Sequence, residues 1–506
     1  MTFAWILFCI YLIATAYLGW VGYRRTRGFG SFAIGNAAMN PFVVGITLAA
    51  STASAATFII NPGFIYIDGF SAWFHLVPGL VIGLTTMLFV LSVRFRKIGV
   101  GQGALTIPDW IGKRYGSRWF SLYFAFLSLL SFAFVVLLVG GISIVMQPLL
   151  GISNVTALII TLVFVTGYVF IGGTYAHVLT NLLQGSLMIV ITILVLGSCL
   201  WSVVSSDVNV VEALRASDPY LLSPVKPDAR LFGDVFTIYV AGFVIGAVLA
   251  CQPHVLTKAL YVKSDRDVRR YLWVFAFVFT LFALLVSVGF VSHLIIDPVE
   301  LMDSTTGAIR QDLVMTVYLK NVFPDWLFTI VAVVLLAAAM STLDGLLVSL
   351  STITANDLFL NLLSLKQNKE YDEKKRMQWA MHAGHIVLVL SAIGAFVINL
   401  SPPRLLGIFG QVGVYGLAVA LAPPLLAGVL FKQPLIRPVA ALSIIALVSH
   451  FALFFRGALW LPSLPLNWAN PGVTAALAAL GTLPFVWLAR GKDSGVSDRS
   501  FDERVI

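Results

Sequence analysis

Thirteen apolar stretches, each close to the roughly 20 residues a helix needs to cross a hydrocarbon core, dominate this chain and constrain what it can fold into. They lie near residues 3–22, 40–66, 71–93, 119–148, 154–171, 179–204, 234–253, 271–296, 326–354, 380–399, 405–431, 436–455 and 471–489. In lipid a spanning segment must satisfy its own backbone polar groups, so such stretches are helices. The pattern predicts an all-α polytopic membrane protein with 13 transmembrane helices. Composition agrees, since 59% hydrophobic and 11% charged residues with a mean hydropathy of +0.94 do not suit a water-soluble domain.

Basic residues set the orientation, because short loops rich in Lys and Arg stay cytoplasmic. With the N-terminus outside, all of the 32 Lys and Arg except Arg215, Lys226, Arg230, Arg310, Lys320, Arg404 and Arg456 fall on the cytoplasmic side. The expectation is N-out and C-in. The net charge of +9 then resides in short cytoplasmic loops, so a lipid bilayer is the expected surrounding and no nucleic acid is expected as a partner. No obligate protein partner is evident, and the charged 360–378 linker reads as a solvated loop. The first stretch has no basic residue before it and Arg24-Arg25 after it, the reverse of a secretion signal, so it reads as a span. Cys9, Cys199 and Cys251 form neither a metal-ligand spacing nor a disulfide framework.

Inside the ninth stretch, 335–357 (LLAAAMSTLDGLLVSLSTITAND) places hydroxyls and a carboxylate in a lipid-soluble helix. Ser341 and Asp344 are three apart and share a helix face, with Ala337 and Ala338 a turn earlier. An intramembrane carboxylate marks an ion or substrate path, and oxygens beside small side chains suit a hard cation. The second stretch, 45–63 (GITLAASTASAATFIINPG), is the poorest helix former and ends at Pro62-Gly63. It reads either as a close-packed small-residue helix or as a helix interrupted at mid-membrane. The seventh loosens at Gly242 and Gly246 and breaks at Gln252-Pro253-His254. Interruptions at corresponding places in two halves of a transporter point to its binding site. Asn181 reads first as interhelical glue, His254 as a packed or capping residue, and Asp109 with Lys113 as a solvated helix pair.

These motifs, in order, resemble the sodium/solute symporter family: Gly172-Gly173 with Thr180 and Gln184-Gly185, then Gln252-Pro253-His254, then Ala338 to Thr342 with the 351–358 tail. TIPDWIGKRY at 106–115, ALAPPLLAGVLF at 420–431 and 470–479 extend the likeness, which runs from about residue 3 to 490. The resemblance implies a LeuT-type inverted-repeat fold. Its expected parts are a leading helix and linker (1–39), a first five-helix repeat (40–205), an extracellular loop (206–233) and a second, inverted repeat (234–431). Two peripheral helices (432–490) and a cytoplasmic tail (491–506) follow.

The resemblance also implies function: sodium-coupled symport of a small-molecule substrate by alternating access. The sodium ion would be held by backbone oxygens of Ala50, Ala53 and Ala338 and by the hydroxyls of Ser341 and Thr342. Substrate positions would be Thr52, Ser54 and Thr57, then Ala247, Val248 and Cys251, and Tyr415. Many relatives carry Asp where this chain has Asn181, whereas Asp344 stands where relatives more often have Ser. Asp344, with Asn181, is therefore the candidate for a second cation or a proton, and proton coupling through Asp344 is the alternative reading. Otherwise Asp344 would sit in a wet inner vestibule beside a loop Lys. Ala56, Thr57 and Ala247 disfavour a sugar. No Lys or Arg is readable in the pocket, so a small carboxylate such as an amino acid, a monocarboxylate or pantothenate fits best. A membrane enzyme is disfavoured by scattered histidines, and a transporter-like sensor by the short segment after Arg490.

Overall fold

The computed structural model describes residues 2–54, 56–303, 307, 309–362, 373–402, 406–464 and 466–491. Much of the charged 360–378 linker, Arg404 and the tail beyond 491 lie outside the described residues. The architecture is helical throughout. Its elements are α1 (Thr2–Arg25), α2 (Pro41–Thr52), α3 (Ala56–Gly101), α4 (Ile107–Tyr115), α5 (Arg118–Leu150), α6 (Asn154–Ser205) and α7 (Phe236–Leu249). They continue with α8 (Pro253–Tyr261), α9 (Asp265–Ile295), α10 (Asp325–Leu360), α11 (Gln378–Leu400), α12 (Gly407–Leu430), α13 (Ile436–Trp460) and α14 (Pro471–Ala489). Ten described helices are long and apolar enough to cross a membrane, or eleven when α7 and α8 count as one span bent by 62°. Two of the ten fold back on themselves at one glycine.

Those glycines are Gly69 in α3 and Gly173 in α6, with φ of 58° and 51°. L-residues with a Cβ rarely adopt such a backbone. A Cβ at Gly173 would lie 2.4 Å from Phe32 Cδ2, and one at Gly69 would lie 2.1 Å from the Leu221 carbonyl oxygen. The turn at Gly172-Gly173 is therefore closed by Gly173 itself.

The interruption of the second apolar stretch follows from its composition. Asn40 caps α2 through the Phe42 N–H at 2.8 Å, with Pro41 in the first turn. At the far end Ser51 Oγ and Thr52 Oγ1 turn back onto the Thr47 and Leu48 carbonyls at 2.8 and 2.7 Å, and Ala53 leaves the helix at φ −79°, ψ 82°. Ser54 restarts the chain by accepting the Ala56 N–H on its Oγ and the Thr57 N–H on its carbonyl. α2 packs against α6, α9 and α10, and α8 touches both α2 and α10. α10 is the centre of the bundle, buried from Val331 to Val348.

At one end Arg114 of α4 donates to the Gly428, Phe431 and Lys432 carbonyls at 2.8, 2.6 and 3.0 Å, which caps α12. Asp109 pairs with Lys113 at 2.9 Å. At the other end the loop before α7 is sewn down by Lys226, which is 6% exposed. Its N–H meets Ser71 Oγ at 3.0 Å, and its Nζ meets the Ile67 carbonyl and Asp218 at 2.8 and 2.6 Å. The hydrogen bond from Lys226 holds the Asp218 carboxyl below its ordinary range. A depressed carboxylate adds stability above its unfolded pKa and loses that stability as pH falls through its folded value. Lys226→Met should accordingly lower the unfolding temperature at pH 7, and the gap from wild type should narrow below about pH 4. A gap that stays constant across that window would show that the pair contributes nothing.

Candidate functional site

Where α2 ends, its last carbonyls have no following turn to supply N–H donors. Ala50 and Ala53 lie there and are fully buried. α10 crosses at this point because both helices present small residues. Ser341 Oγ lies 2.9 Å from the Ala50 carbonyl and 2.7 Å from that of Ala338, its own preceding turn. One hydroxyl proton is shared by two carbonyls, and since that of Ala338 also accepts within its own helix, the Ala50 carbonyl at its helix end is the one left short of a donor. Next to it Thr342 Oγ1 is buried without a partner. Leaving such an oxygen unsatisfied costs about 1–3 kcal/mol. Buried oxygens that outnumber their protons suit a hard cation. α6 closes the third side: Asn181 Nδ2 donates to the Ser341 carbonyl at 2.8 Å, while its Oδ1 is without a partner. Gly185 lets α6 approach, since a Cβ there would lie 3.1 Å from the Ala50 Cβ.

Asp344 is fully buried, not in a wet vestibule. Its Oδ1 meets His177 Nδ1 at 2.9 Å, and its Oδ2 meets the Tyr168 and Thr180 hydroxyls at 3.0 and 3.2 Å. Behind the imidazole, Lys258 Nζ lies 3.1 Å from His177 Nε2 and 3.1 Å from the Thr47 carbonyl. Lys258, counted above with the cytoplasmic loop charges, is fully buried in the bundle. Asn181 serves the Ser341 carbonyl and makes no hydrogen bond with Asp344. His177 and Lys258 were not singled out from the sequence. The available signal was the spacing of His177 four residues before Asn181, on the same helical face.

A cavity of about 130 Å³ adjoins the break between α2 and α3. Thr52, Ser54, Thr57 and Tyr415 line it, together with Ser51, Asn61, Gln252 and Gln411. Apolar walls come from Leu76, Leu80, Leu84, Phe134, Leu137 and Phe279, and no Lys, Arg, Asp or Glu is among the lining residues. Ala247, Val248 and Cys251 do not line it. α7 presses that face onto α3, where a Cβ at Gly83 would lie 2.9 Å from the Ala247 N and one at Gly246 would lie 2.3 Å from the Leu80 carbonyl. The bend then brings Leu249, Gln252, His254 and Val255 to the cavity instead.

Two interrupted spans around a central helix, with a buried pocket of proton-poor oxygens and a cavity free of Lys, Arg, Asp and Glu beside it, are the features of a LeuT-fold secondary transporter. The chain belongs to the Sodium:solute symporter family, whose model matches residues 32–434. It is 28% identical over 409 residues to the sodium/pantothenate symporter of Haemophilus influenzae, covering 79% of each chain. It is 25% identical over 442 residues to the sodium/proline symporter of Escherichia coli, covering 84% of this chain and 82% of that one. Among solved structures it resembles a Na+-coupled sialic acid symporter in its substrate-bound outward-open state, with a TM-score of 0.74. That match covers 96% and 97% of the two chains and, at 16% identity, is a likeness of fold. The protein is a multi-pass plasma-membrane symporter that couples sodium to a small solute.

Proposed function

We propose that the co-transported sodium binds between α2 and α10, on the carbonyls of Ala50, Ala53 and Ala338 and the hydroxyls of Ser341 and Thr342, and that the solute is a small carboxylate held in the adjoining cavity. The observation behind this is that one break serves both. Ser51, Thr52, Ser54, Ala56 and Thr57 line the cavity, while Ala50, at the same helix end, meets Ser341 at 2.9 Å. Sodium joining α2 to α10 fixes the shape of the break that the solute must use. By linkage the solute then strengthens sodium binding by the same factor. Opening of the opposite face separates α2 from α10 and releases both, so coupling is the difference in ion affinity between states. α2 with α3, and α7 with α8, would open the two inverted repeats expected over 40–205 and 234–431.

The solute class follows from the lining. Hydroxyls and amides from Thr52, Ser54, Thr57, Asn61, Gln252, Gln411 and Tyr415 can hydrogen-bond a carboxylate, and the leucine and phenylalanine wall suits a compact apolar body. With no Lys or Arg in the lining, sodium itself is the proposed countercharge. The pantothenate and proline symporters that the chain resembles both carry carboxylates, which points the same way. Sodium is favoured over proton coupling through Asp344, because both Asp344 oxygens already take protein donors.

Small carboxylates and neutral sugars should be compared for their effect on thermal unfolding in NaCl and in choline chloride. Carboxylates are expected to stabilise only with sodium present. Stabilisation by sugars alone would overturn the solute class. Thr57→Leu, which removes a lining hydroxyl, should weaken the carboxylate about tenfold, or about 1.4 kcal/mol, and leave the sodium shift intact. Unchanged carboxylate affinity in that variant would move the solute away from this cavity.

A further inference from the structure

Three groups that the transport reading does not use form a continuous chain through the bundle. As an ammonium, Lys258 Nζ can only donate, so His177 Nε2 accepts from it and the ring proton lies on Nδ1. That proton is donated to Asp344 Oδ1 at 2.9 Å. The carboxylate's other oxygen takes the Tyr168 O–H. Every proton in the chain has one direction, and a cation and an anion sit at its two ends around a neutral ring. All three side chains are buried. α10 makes room for the ring, since a Cβ at Gly345 would lie 3.0 Å from His177 Cε1. The ammonium's other contact is the Thr47 carbonyl, one turn before Ala50 on α2.

We propose that Lys258 is the resident cation of Asp344, reached through His177, so that Asp344 takes no alkali ion and a single sodium saturates the protein. In the same geometry Lys258 acts as a positioning residue that ties the Pro41-bearing half of the second span to α6 and α10. An isolated charge in this place is strongly unfavourable, whereas a linked pair is tolerated. Removing either end alone therefore exposes the other.

Two measurements on the full-length protein test this, and only the second rests on the sodium site proposed above. In choline chloride, Lys258→Met and Asp344→Asn should each lower the unfolding temperature, and the double variant should recover most of that loss. If a single variant does not fold, folding of the double variant is the recovery. Losses that simply add in the double variant would overturn the pairing. In NaCl, the slope of unfolding free energy against the logarithm of sodium concentration counts bound ions. Wild type should give a slope of one ion, Lys258→Met should double it as the freed carboxylate recruits a second sodium, and the double variant should return to one. A two-ion slope in wild type, or a one-ion slope in Lys258→Met, would overturn the resident-cation assignment. No sodium response in wild type would remove the proposed sodium site and with it the single-sodium claim, while the choline arm still decides the pairing.

Discussion

Ser341→Ala should abolish most of the rise in unfolding temperature that NaCl gives over choline chloride at equal ionic strength. Ser341 Oγ touches the carbonyls of both Ala50 and Ala338, so it is the side-chain atom that joins α2 to α10. At a sodium concentration about a hundredfold above its dissociation constant, mass action stabilises the native state by about 2.7 kcal/mol. In choline the same substitution removes one hydrogen bond and no packing volume, a loss of about 1 kcal/mol. The decisive quantity is the difference between the two salts for each protein. Equal sodium shifts in wild type and Ser341→Ala would place the ion elsewhere.

Gly185→Leu should have a comparably large effect by a different route. A Cβ at this position would lie 2.8 Å from Ile46 Cγ2 and 3.1 Å from Ala50 Cβ, so a leucine must push α2 away from α6 beside the ion oxygens. Overpacking of this kind costs about 1–3 kcal/mol. The functional loss should be larger, at least about tenfold in sodium-driven uptake, because a displacement of α2 by about 1 Å disturbs both the Ala50 contact and the break that lines the cavity. Gly197 lies on the same helix, and a Cβ there meets nothing within 4 Å. Gly197→Leu is the control and should retain both folding and uptake. If the two leucines behave alike, close approach at Gly185 has no bearing on transport.

Much of this was legible because membranes restrict what a helix can contain. Hydroxyls among alanines before Pro62-Gly63 leave a close-packed helix and an interrupted one both open, Gln252-Pro253-His254 at the end of an apolar run points to a break, and the chain is broken at both places. Ser341 and Asp344 were visible as polar intrusions for the same reason. The bend was harder to read in detail, because a 62° turn between Leu249 and Pro253 re-aims every side chain after it. The family resemblance puts Ala247, Val248 and Cys251 at the substrate positions, whereas in this stretch Gln252 and Val255 line the cavity. Lys258 was hidden by the rule that makes orientation readable, since a lysine at the end of a span counts as a loop charge. Its partner is on another helix and is reached only through His177, which is 81 residues away from it in sequence. No local pattern connects them.

The uncharged lining of the cavity has an electrical consequence. Over a full cycle the protein returns to its starting state, so the net charge moved is that of the cargo, and with no Lys, Arg, Asp or Glu in the lining the return of the empty cavity carries no lining charge. One sodium carried with a zwitterionic amino acid moves one positive charge inward, so the membrane voltage adds about 2.3 kcal/mol per 100 mV to the drive for accumulation. One sodium carried with a monoanion moves none, and accumulation then depends on the chemical gradient of sodium. Recording current during uptake would thus reveal the ionic form of the solute before its structure is known.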